Sequence, residues 1–267
     1  MVPQTFYAYN MSQHVSICLA SPLHDPEGRL LELLAEKGEA LLKLYKKNAA
    51  VSISSATSPE IIALLKKQGF LTSVQRKDIT MPLGNNYLSA MKLALSTKAQ
   101  FIHVVDFDRA LHWMKRFPRE LRDVQSILPT CQEFTSFVRT KRAFETHPNI
   151  QRSTEQIVNS IASEVAGVDV DIMSGSFGFE RSLAKNVIDE VRQKDYGIYA
   201  EFLRIAIKHQ VLISTIEVEG LEWETPDQFQ NEIQQKGYAE WLQQFESLAQ
   251  WGKRVKLVEN SADVLIP

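Results

Sequence analysis

Two carboxylates one residue apart, Asp106 and Asp108, directly follow the apolar run Phe101 to Val105. Mg²⁺ and Mn²⁺ bind oxygen ligands and keep coordination places for substrate phosphates, so such a pair at a strand end can hold the metal against a diphosphate. The metal would stabilise the charge that builds on a leaving nucleotide diphosphate. The pattern therefore predicts a Mn²⁺ or Mg²⁺ site with Asp106 and Asp108 as ligands, and a solvated or salt-bridged loop is the alternative.

A second polar segment brings cations together after another apolar run. It contains Arg139, Lys141 and Arg142 and ends near His147. Arginine presents a two-pronged set of donors to phosphate oxygens, so we expect Arg139 and Arg142 to bind the diphosphate. A basic surface loop paired with nearby acids is the alternative interpretation.

Acidic residues of the second half are candidates for the acceptor side of a cleft. Asp169 and Asp171 lie two residues apart in a run that predicts a strand over 168–173, so both point to one face. They could instead only cap a turn. Glu222-Trp223-Glu224 follows the last predicted strand, and an acceptor-side role for it competes with simple packing of the tryptophan.

These residues need elements that bring them to one edge. Up to Asp108, apolar runs alternate with segments of helical periodicity, which predicts a doubly wound, mainly parallel sheet. Ligands bind beyond the carboxyl ends of such strands, so Ser21, Ser54 and Asp106 are expected on one rim. The predicted strands of this half are 14–20, 50–54 and 101–105, and the predicted helices are 27–47, 59–68 and 84–98.

The second half has a less regular pattern. Its predicted strands are 133–138, 168–173 and 211–218, and its predicted helices are 154–165, a segment from Glu180, and 198–209. A capping box with proline at the first helical position, Thr225-Pro226-Asp227-Gln228, predicts the start of one last long helix.

The composition excludes several classes of protein. A hydrophobic fraction of 44% and a charged fraction of 23% are those of a globular chain, and a net charge of -2 argues against a nucleic-acid partner. Cys18 and Cys131 have no metal-binding spacing and are predicted as thiols in a reducing compartment. No signal peptide is apparent at the start, and no run approaches the roughly 20 apolar residues of a transmembrane helix. We therefore expect a cytoplasmic protein with no transmembrane segment.

Several segments together resemble the nucleotide-binding half of GT-A glycosyltransferases, and family-2 enzymes and relatives of dolichyl-phosphate mannose synthase are the most similar. The resemblance is carried by Val15 to Ser21, by Gly84-Asn85-Asn86 with Ala90 and Ala94, and by Phe101 to Asp108. It implies a single GT-A-like α/β domain over 1–267. Residues 14–125 would form the nucleotide-binding half, 126–225 the acceptor-side half, and 226–267 a C-terminal helix and tail.

The resemblance also implies a chemistry. Enzymes of this type move a sugar from a UDP- or GDP-linked donor to an acceptor, which here is unknown, and a homo-oligomer is left open. Asp108 would be the most direct metal ligand, with Asp106 nearer the ribose or a metal-bound water. Glu201 matches the family's catalytic base by position, Asp171 is the second candidate, and an ion-paired Glu201 is the alternative. The residues expected to contact the nucleotide sugar are Ser21, Ser54, Gly84, Asn85, Asn86, Asp106, Arg139, Arg142 and Gly175.

The chain departs from the family pattern after the second strand. Ser54-Ser55-Ala56-Thr57 stands where family-2 chains commonly carry an acid that holds the base. Two other functions stay open: a nucleotidyltransferase that makes an activated sugar, and a noncatalytic member of the fold. The former usually needs a Gly-rich, cationic loop after the first strand, and Ser21-Pro22-Leu23-His24-Asp25 supplies none. Kinase, serine-hydrolase and dinucleotide-binding motifs are absent from the sequence.

Overall fold

A mixed sheet of seven strands forms the centre of the chain in the computed structural model, which describes residues 15–76 and 83–266. The strands in chain order are β1 (Ile17–Leu23), β2 (Ala49–Ile53), β3 (Leu71–Val74), β4 (Phe101–Val104), β5 (Phe134–Arg139), β6 (Phe177–Glu180) and β7 (Ile213–Val218). Their order across the sheet is β3-β2-β1-β4-β6-β5-β7.

Most neighbouring strands of this sheet run parallel. β1 pairs in parallel with β2 and β4, β2 with β3, and β5 with β7. Only β6, which lies between β4 and β5, pairs antiparallel with its neighbours in the described residues. The prediction of an α/β fold with a mainly parallel sheet is therefore confirmed.

Helices cover both faces of the sheet. They are α1 (Leu31–Leu44), α2 (Pro59–Gln68), α3 (Leu83–Leu95), α4 (Phe107–Arg116), α5 (Pro118–Ile127), α6 (Lys141–Glu145), α7 (Asn149–Ala166), α8 (Arg181–Glu190), α9 (Gly197–Lys208), α10 (Gln230–Lys236), α11 (Tyr238–Gln243) and α12 (Leu248–Leu265). Helices α3, α7, α8, α9 and α12 share one core cluster, and α1, α2, α4 and α5 share the other.

Strand β1 shows why the first half was predictable. Cys18 and Ala20 belong to one core cluster, whereas Ile17, Leu19 and Leu23 belong to the other. Side chains alternate along a strand, so a strand buried on both faces is an almost continuous apolar run. The sequence shows such an apolar run from Ile17 to Ala20, and this made the strand predictable.

Helix α2 begins and ends where the sequence predicts. The hydroxyl of Ser58 accepts from the Ile61 N–H at 3.5 Å, and Pro59 occupies the first turn. Gly69 ends the helix at a φ of 94°, in the left-handed region that glycine tolerates.

Three strand predictions need correction. β1 continues to Leu23, so Ser21 lies inside the strand rather than after it, and the predicted start at His14 lies outside the described residues. β3 was missed because its residues are exposed or half-buried and show no apolar pattern. No strand covers 168–173: a 3₁₀ turn at Ile172–Ser174 leads instead to β6.

The C-terminal segment also differs from the prediction. A 3₁₀ turn at Thr225–Gln228 is followed by three helices, α10, α11 and α12, instead of one long helix. Gly237, at a φ of 81°, separates α10 from α11, and Ser247 caps α12. A glycine in this conformation breaks a helix that the apolar pattern alone would continue.

Strands from both predicted halves share the one sheet: β1 to β4 come from 14–125 and β5 to β7 from 126–225. Among the helices that the structure describes, none is long and apolar enough to cross a bilayer.

Candidate functional site

Asp106 lies two residues beyond the end of β4 and is the N-cap residue of α4. Its side chain is 26% exposed. Asp108 lies in the first turn of the same helix, where the positive end of the helix dipole favours negative charge. The strand end and the helix start thus bring both carboxylates to the edge of the sheet where the sequence predicted them.

Two buried tyrosines fix one oxygen of Asp106. Tyr87, on α3, donates its hydroxyl to Asp106 Oδ1, and Tyr199, on α9, lies 2.5 Å from the Tyr87 oxygen. Since the Tyr87 proton is directed to the carboxylate, Tyr199 is the donor of the second bond. Burial raises the pKa of both phenols, so the chain of hydrogen bonds stays protonated at neutral pH.

Arg109 lies between the carboxylates of the site. Its Nε is 3.8 Å from Asp106 Oδ2 and 3.5 Å from Glu224 Oε2, and Nη1 donates to the carbonyl oxygen of Ser174. Neither Arg109 Nε nor Glu224 Oε2 has a hydrogen-bond partner among the described residues, although both atoms are buried. The opposite charges of Arg109 and Glu224 are therefore close together, but no hydrogen bond joins these two atoms.

Asp108 is held by neutral donors. Its Oδ1 accepts from the Arg109 N–H at 2.8 Å, and its Oδ2 accepts from Gln228 Nε2 at 2.9 Å. Burial, together with the charges of Glu224 and Asp106, raises the pKa of Asp108 to about 7. Burial also raises the pKa of Asp106. The carboxyl groups of Asp106, Asp108 and Glu224 thus outnumber the one cationic side chain of this centre, Arg109.

Gly175 leaves room beside this centre. Its φ is 68°, and a Cβ there would lie 3.3 Å from Arg109 Nη1, 3.4 Å from the Tyr199 hydroxyl and 3.6 Å from Asp106 Oδ2. A Cβ would be tight against Arg109 Nη1 and in ordinary contact with the other two groups, and the left-handed backbone itself disfavours a side chain here. The structure thus places Gly175 beside Asp106, and its contact with a nucleotide sugar stays a prediction.

Polar contacts with α4 hold the segment 222–228, which supplies Glu224 and Gln228. His112 Nδ1 lies 2.7 Å from Asp227 Oδ2, and His112 Nε2 lies 3.3 Å from Glu222 Oε1. Arg142 does not face the centre; it is half exposed and pairs with Glu219 and, at 2.6 Å, with Glu222.

Arg139 and Asp171 are paired with each other and lie apart from the Asp106 centre. Arg139 Nε and Nη2 donate to the two oxygens of Asp171 at 2.7 and 2.9 Å, and Nη1 donates to Glu155 at 2.8 Å. Asn159 also donates to Asp171, and Arg254 to Glu155. Although burial opposes it, the Arg139 charge lowers the pKa of Asp171. The contacts favour a structural role for both residues.

The predicted nucleotide-contact residues of the first half lie in different environments. Ser21 is fully buried within β1, and its hydroxyl has no partner among the described residues. Ser54 follows β2, and its hydroxyl lies 2.8 Å from His24 Nδ1, so it does lie on the expected rim. Asn86 bridges the same rim, because it accepts from Gln75 at 2.7 Å and its Nδ2 lies 3.5 Å from the Leu23 carbonyl oxygen.

Gly84 and Asn85 lie in the first turn of α3. A Cβ at Gly84 would lie 2.9 Å from the Lys194 backbone, and the Gly84 N–H donates to the Lys194 carbonyl. Gly84 is therefore needed for close packing of the helix start on the loop before α9. Asn85 is half-buried.

Glu201, the predicted base, supports that same loop. Its Oε2 accepts from the N–H groups of Arg192 at 2.9 Å and Gln193 at 2.7 Å, and the residue is 3% exposed. Its catalytic role stays a prediction, and these contacts favour a structural one.

The donor set fits a divalent cation only together with a substrate. Among the described residues, no group of three or more His, Cys, Asp or Glu side chains is arranged to hold a metal ion. Mg²⁺ is usually held by one or two carboxylates plus substrate phosphates, however. The orphaned Glu224 Oε2 and the raised pKa of Asp108 show negative charge that a cation would compensate.

Comparison with solved structures finds mannosyl-3-phosphoglycerate synthase from Rubrobacter xylanophilus at 10% identity and a TM-score of 0.47, covering 84% of this chain and 75% of that one. No family model matches the chain. No curated protein matches it either.

Sequence reasoning missed four residues of the centre as site residues: Tyr87, Tyr199, Arg109 and Glu224. Arg109 and Glu224 had a signal, since one adjoins Asp108 and the other lies in Glu222-Trp223-Glu224. The two tyrosines had none, because an aromatic residue on an apolar helix face predicts packing.

Proposed function

We propose that this chain is a glycosyltransferase that uses a UDP- or GDP-linked sugar together with Mn²⁺ or Mg²⁺. One observation supports it above all: three carboxylates, those of Asp106, Asp108 and Glu224, share a single arginine beyond the carboxyl end of β4. A divalent cation would complement such an excess of negative charge, and substrate phosphates would supply further oxygen ligands to it.

Each residue has a defined task in this proposal. Asp106 and Asp108 would hold the cation, which supplies positive charge against the leaving diphosphate. Tyr87 fixes the orientation of Asp106 by its hydrogen bond. Gly175 keeps the space next to Asp106 free for the donor. Ser54 and Asn86 stand on the rim where the base and ribose would lie.

Glu224 is the base in this proposal. A base must lie within hydrogen-bond reach of the acceptor hydroxyl, and it must be free to accept the proton. Glu224 Oε2 is buried without a hydrogen-bond partner in the described part of the chain, whereas Glu201 and Asp171 both carry structural contacts. Glu224 therefore replaces Glu201 and Asp171 as our candidate.

Calorimetry with UDP and with GDP, each with and without Mn²⁺, tests the donor site. We expect binding that needs the cation and is lost in Asp108→Asn, with the exposed Asp123→Asn as the matched control. Unchanged nucleotide affinity in Asp108→Asn, or equal affinity without Mn²⁺, would contradict the proposal.

Turnover on a panel of nucleotide sugars tests the base. Glu224→Gln should keep donor binding and lower transfer by about 10²-fold or more. Full transfer in this variant would remove Glu224 from the mechanism.

A noncatalytic nucleotide-binding protein of the same fold is the second candidate. The observation that favours it is the engagement of both predicted catalytic acids, Glu201 and Asp171, in structural hydrogen bonds. Metal-dependent nucleotide binding with no hydrolysis or transfer across the whole panel would support this candidate instead.

A further inference from the structure

A second concave region of the described residues has a lining that includes none of Asp106, Asp108, Arg109 and Glu224. It is an open groove of about 1270 Å³ along α7, closed on its other sides by the end of β5, by α6 and by the segment 167–171. The proposed function does not use it.

One stripe of α7 forms the wall of this groove. Its members recur three or four residues apart, so they share one helix face. They are Asn149, Arg152, Ser153, Gln156, Asn159, Ser160 and Ser163. All seven side chains are polar and only Arg152 among them is charged; Glu164, one turn beyond Ser160, lines the groove as well. At 1.5 Å per residue the stripe is about 21 Å long.

The exposed face of α7 carries fewer charged residues than the exposed faces of the other long helices α1 and α12. α1 exposes Glu32, Glu36, Glu39 and Lys43, and α12 exposes Lys253, Lys256, Glu259 and Asp263. The exposed side chains of α7 include one charged residue, Glu164. The stripe therefore offers amides and hydroxyls to a ligand where the other two helices offer mainly charges.

The floor of the groove does not select an anion. Arg139, which the sequence offered as a phosphate ligand, is neutralised there by Asp171 and Glu155. Lys141 and Glu145 face each other at 3.9 Å. The lining contains three cations, Arg139, Lys141 and Arg152, against four carboxylates, Glu145, Glu164, Asp169 and Asp171.

Apolar side chains complete the lining. Val138, Phe144, Val168 and Val170 lie among the polar ones. Ligand sites commonly combine apolar walls with a few hydrogen-bonding groups that fix orientation. Amides and hydroxyls beside carbon surfaces, with balanced charge, fit a ligand that has many hydroxyls and no net charge.

We propose that the groove along α7 binds a neutral oligosaccharide chain. Amide groups of Gln and Asn donate to and accept from vicinal hydroxyls, and both kinds of group line the wall. Binding in this groove requires neither a nucleotide sugar nor a metal ion, so it can be tested independently of the proposed function.

Binding of maltohexaose, cellohexaose and mannohexaose, measured by calorimetry on the full chain without nucleotide or metal, tests it. We expect at least one of them to bind with a Kd between about 1 μM and 1 mM. Gln156→Ala should weaken that binding about 3- to 10-fold, the loss of one or two hydrogen bonds. Gln151→Ala, on the same helix but outside the groove, should leave it unchanged.

Thermal unfolding of both variants checks that the fold is intact, and Gln156 is exposed, so we expect no loss. Three results would overturn the inference: no binding of any hexasaccharide, an equal loss in both glutamine variants, or tighter binding of a sulfated heparin hexasaccharide than of the neutral chains.

Discussion

Two arginines of this protein lie between carboxylates, and their surroundings differ. Arg139 is fully buried, and the carboxylates of Asp171 and Glu155 bind three of its nitrogens at 2.7 to 2.9 Å. Arg109 approaches Asp106 and Glu224 only at 3.8 and 3.5 Å, and its Nε has no partner among the described residues. One cluster is complete, whereas the other has unused hydrogen-bonding capacity.

The completeness of the hydrogen bonding, and not the type of residue, distinguishes the structural cluster from the candidate functional one. A buried ion pair whose hydrogen bonds are all made specifies the fold and resists exchange with a ligand. A centre with orphaned donors and acceptors has room for a ligand to complete it. The sequence ranked Arg139 and Asp171 with the binding residues because both clusters contain the same side chains.

The largest expected effect is on stability. Arg139→Leu leaves Asp171 and Glu155 buried without their cation, so we expect it to lower the free energy of unfolding by about 3–5 kcal/mol. Arg109→Leu should cost less than about 2 kcal/mol, because its Nε lies 3.8 Å from Asp106 and 3.5 Å from Glu224 without a hydrogen bond to either, and Asp106 is partly exposed. Urea denaturation of both variants measures the difference. Equal losses of unfolding free energy would show that the two clusters contribute equally to stability and would contradict the distinction between them.

The pH dependence of stability should have opposite signs at the two clusters. The pKa of Asp108 is raised to about 7, so between pH 4 and 7 the folded chain binds more protons there than the unfolded chain does. The contribution of Asp108 to stability therefore falls as pH rises through this window. After allowance for solvent screening, we expect the free energy of unfolding of Asp108→Asn, relative to that of the wild type, to rise by roughly 1–3 kcal/mol between pH 4 and pH 8.

At Asp171 the lowered pKa means that the folded chain binds fewer protons near pH 4. Its stabilising contribution is present above the unfolded pKa and is lost as pH falls below it. The destabilisation by Asp171→Asn should therefore be smaller at pH 3 than at pH 6. Denaturation curves at these pH values check both signs, and the same slope for the two variants would contradict the assignment.

The smallest effect is expected at Glu201. Glu201→Gln keeps an oxygen that accepts from the Arg192 and Gln193 N–H groups but removes its charge, so the loss of stability should be about 1 kcal/mol. Nucleotide binding and transfer should stay within twofold of wild type. A large loss of transfer with intact donor binding would restore Glu201 as the base and remove the structural interpretation.

Much of the fold was predictable because its signals are local. The apolar runs of β1, β2, β4 and β5, the cap at Ser58 and the left-handed end at Gly69 depend on neighbours a few residues away. β3 could not be found in this way, since an exposed edge strand needs no apolar pattern. The predicted strand over 168–173 was displaced from the antiparallel strand β6 (Phe177–Glu180), because apolar residues alternate with Asp169 and Asp171 there, a pattern typical of a strand.

The sequence by itself determined that Asp106 and Asp108 follow a buried strand and lie at the carboxyl edge of the sheet, whereas helix α4, which begins at Phe107, was not predicted. Tertiary structure alone decided which charges meet there. Tyr87, Tyr199 and Glu224 reach Asp106 and Arg109 from distant elements, and Asp171 is taken by Arg139 instead. The physical reason is that a carboxylate's role depends on its burial and its partners, and both come from residues that only folding brings near.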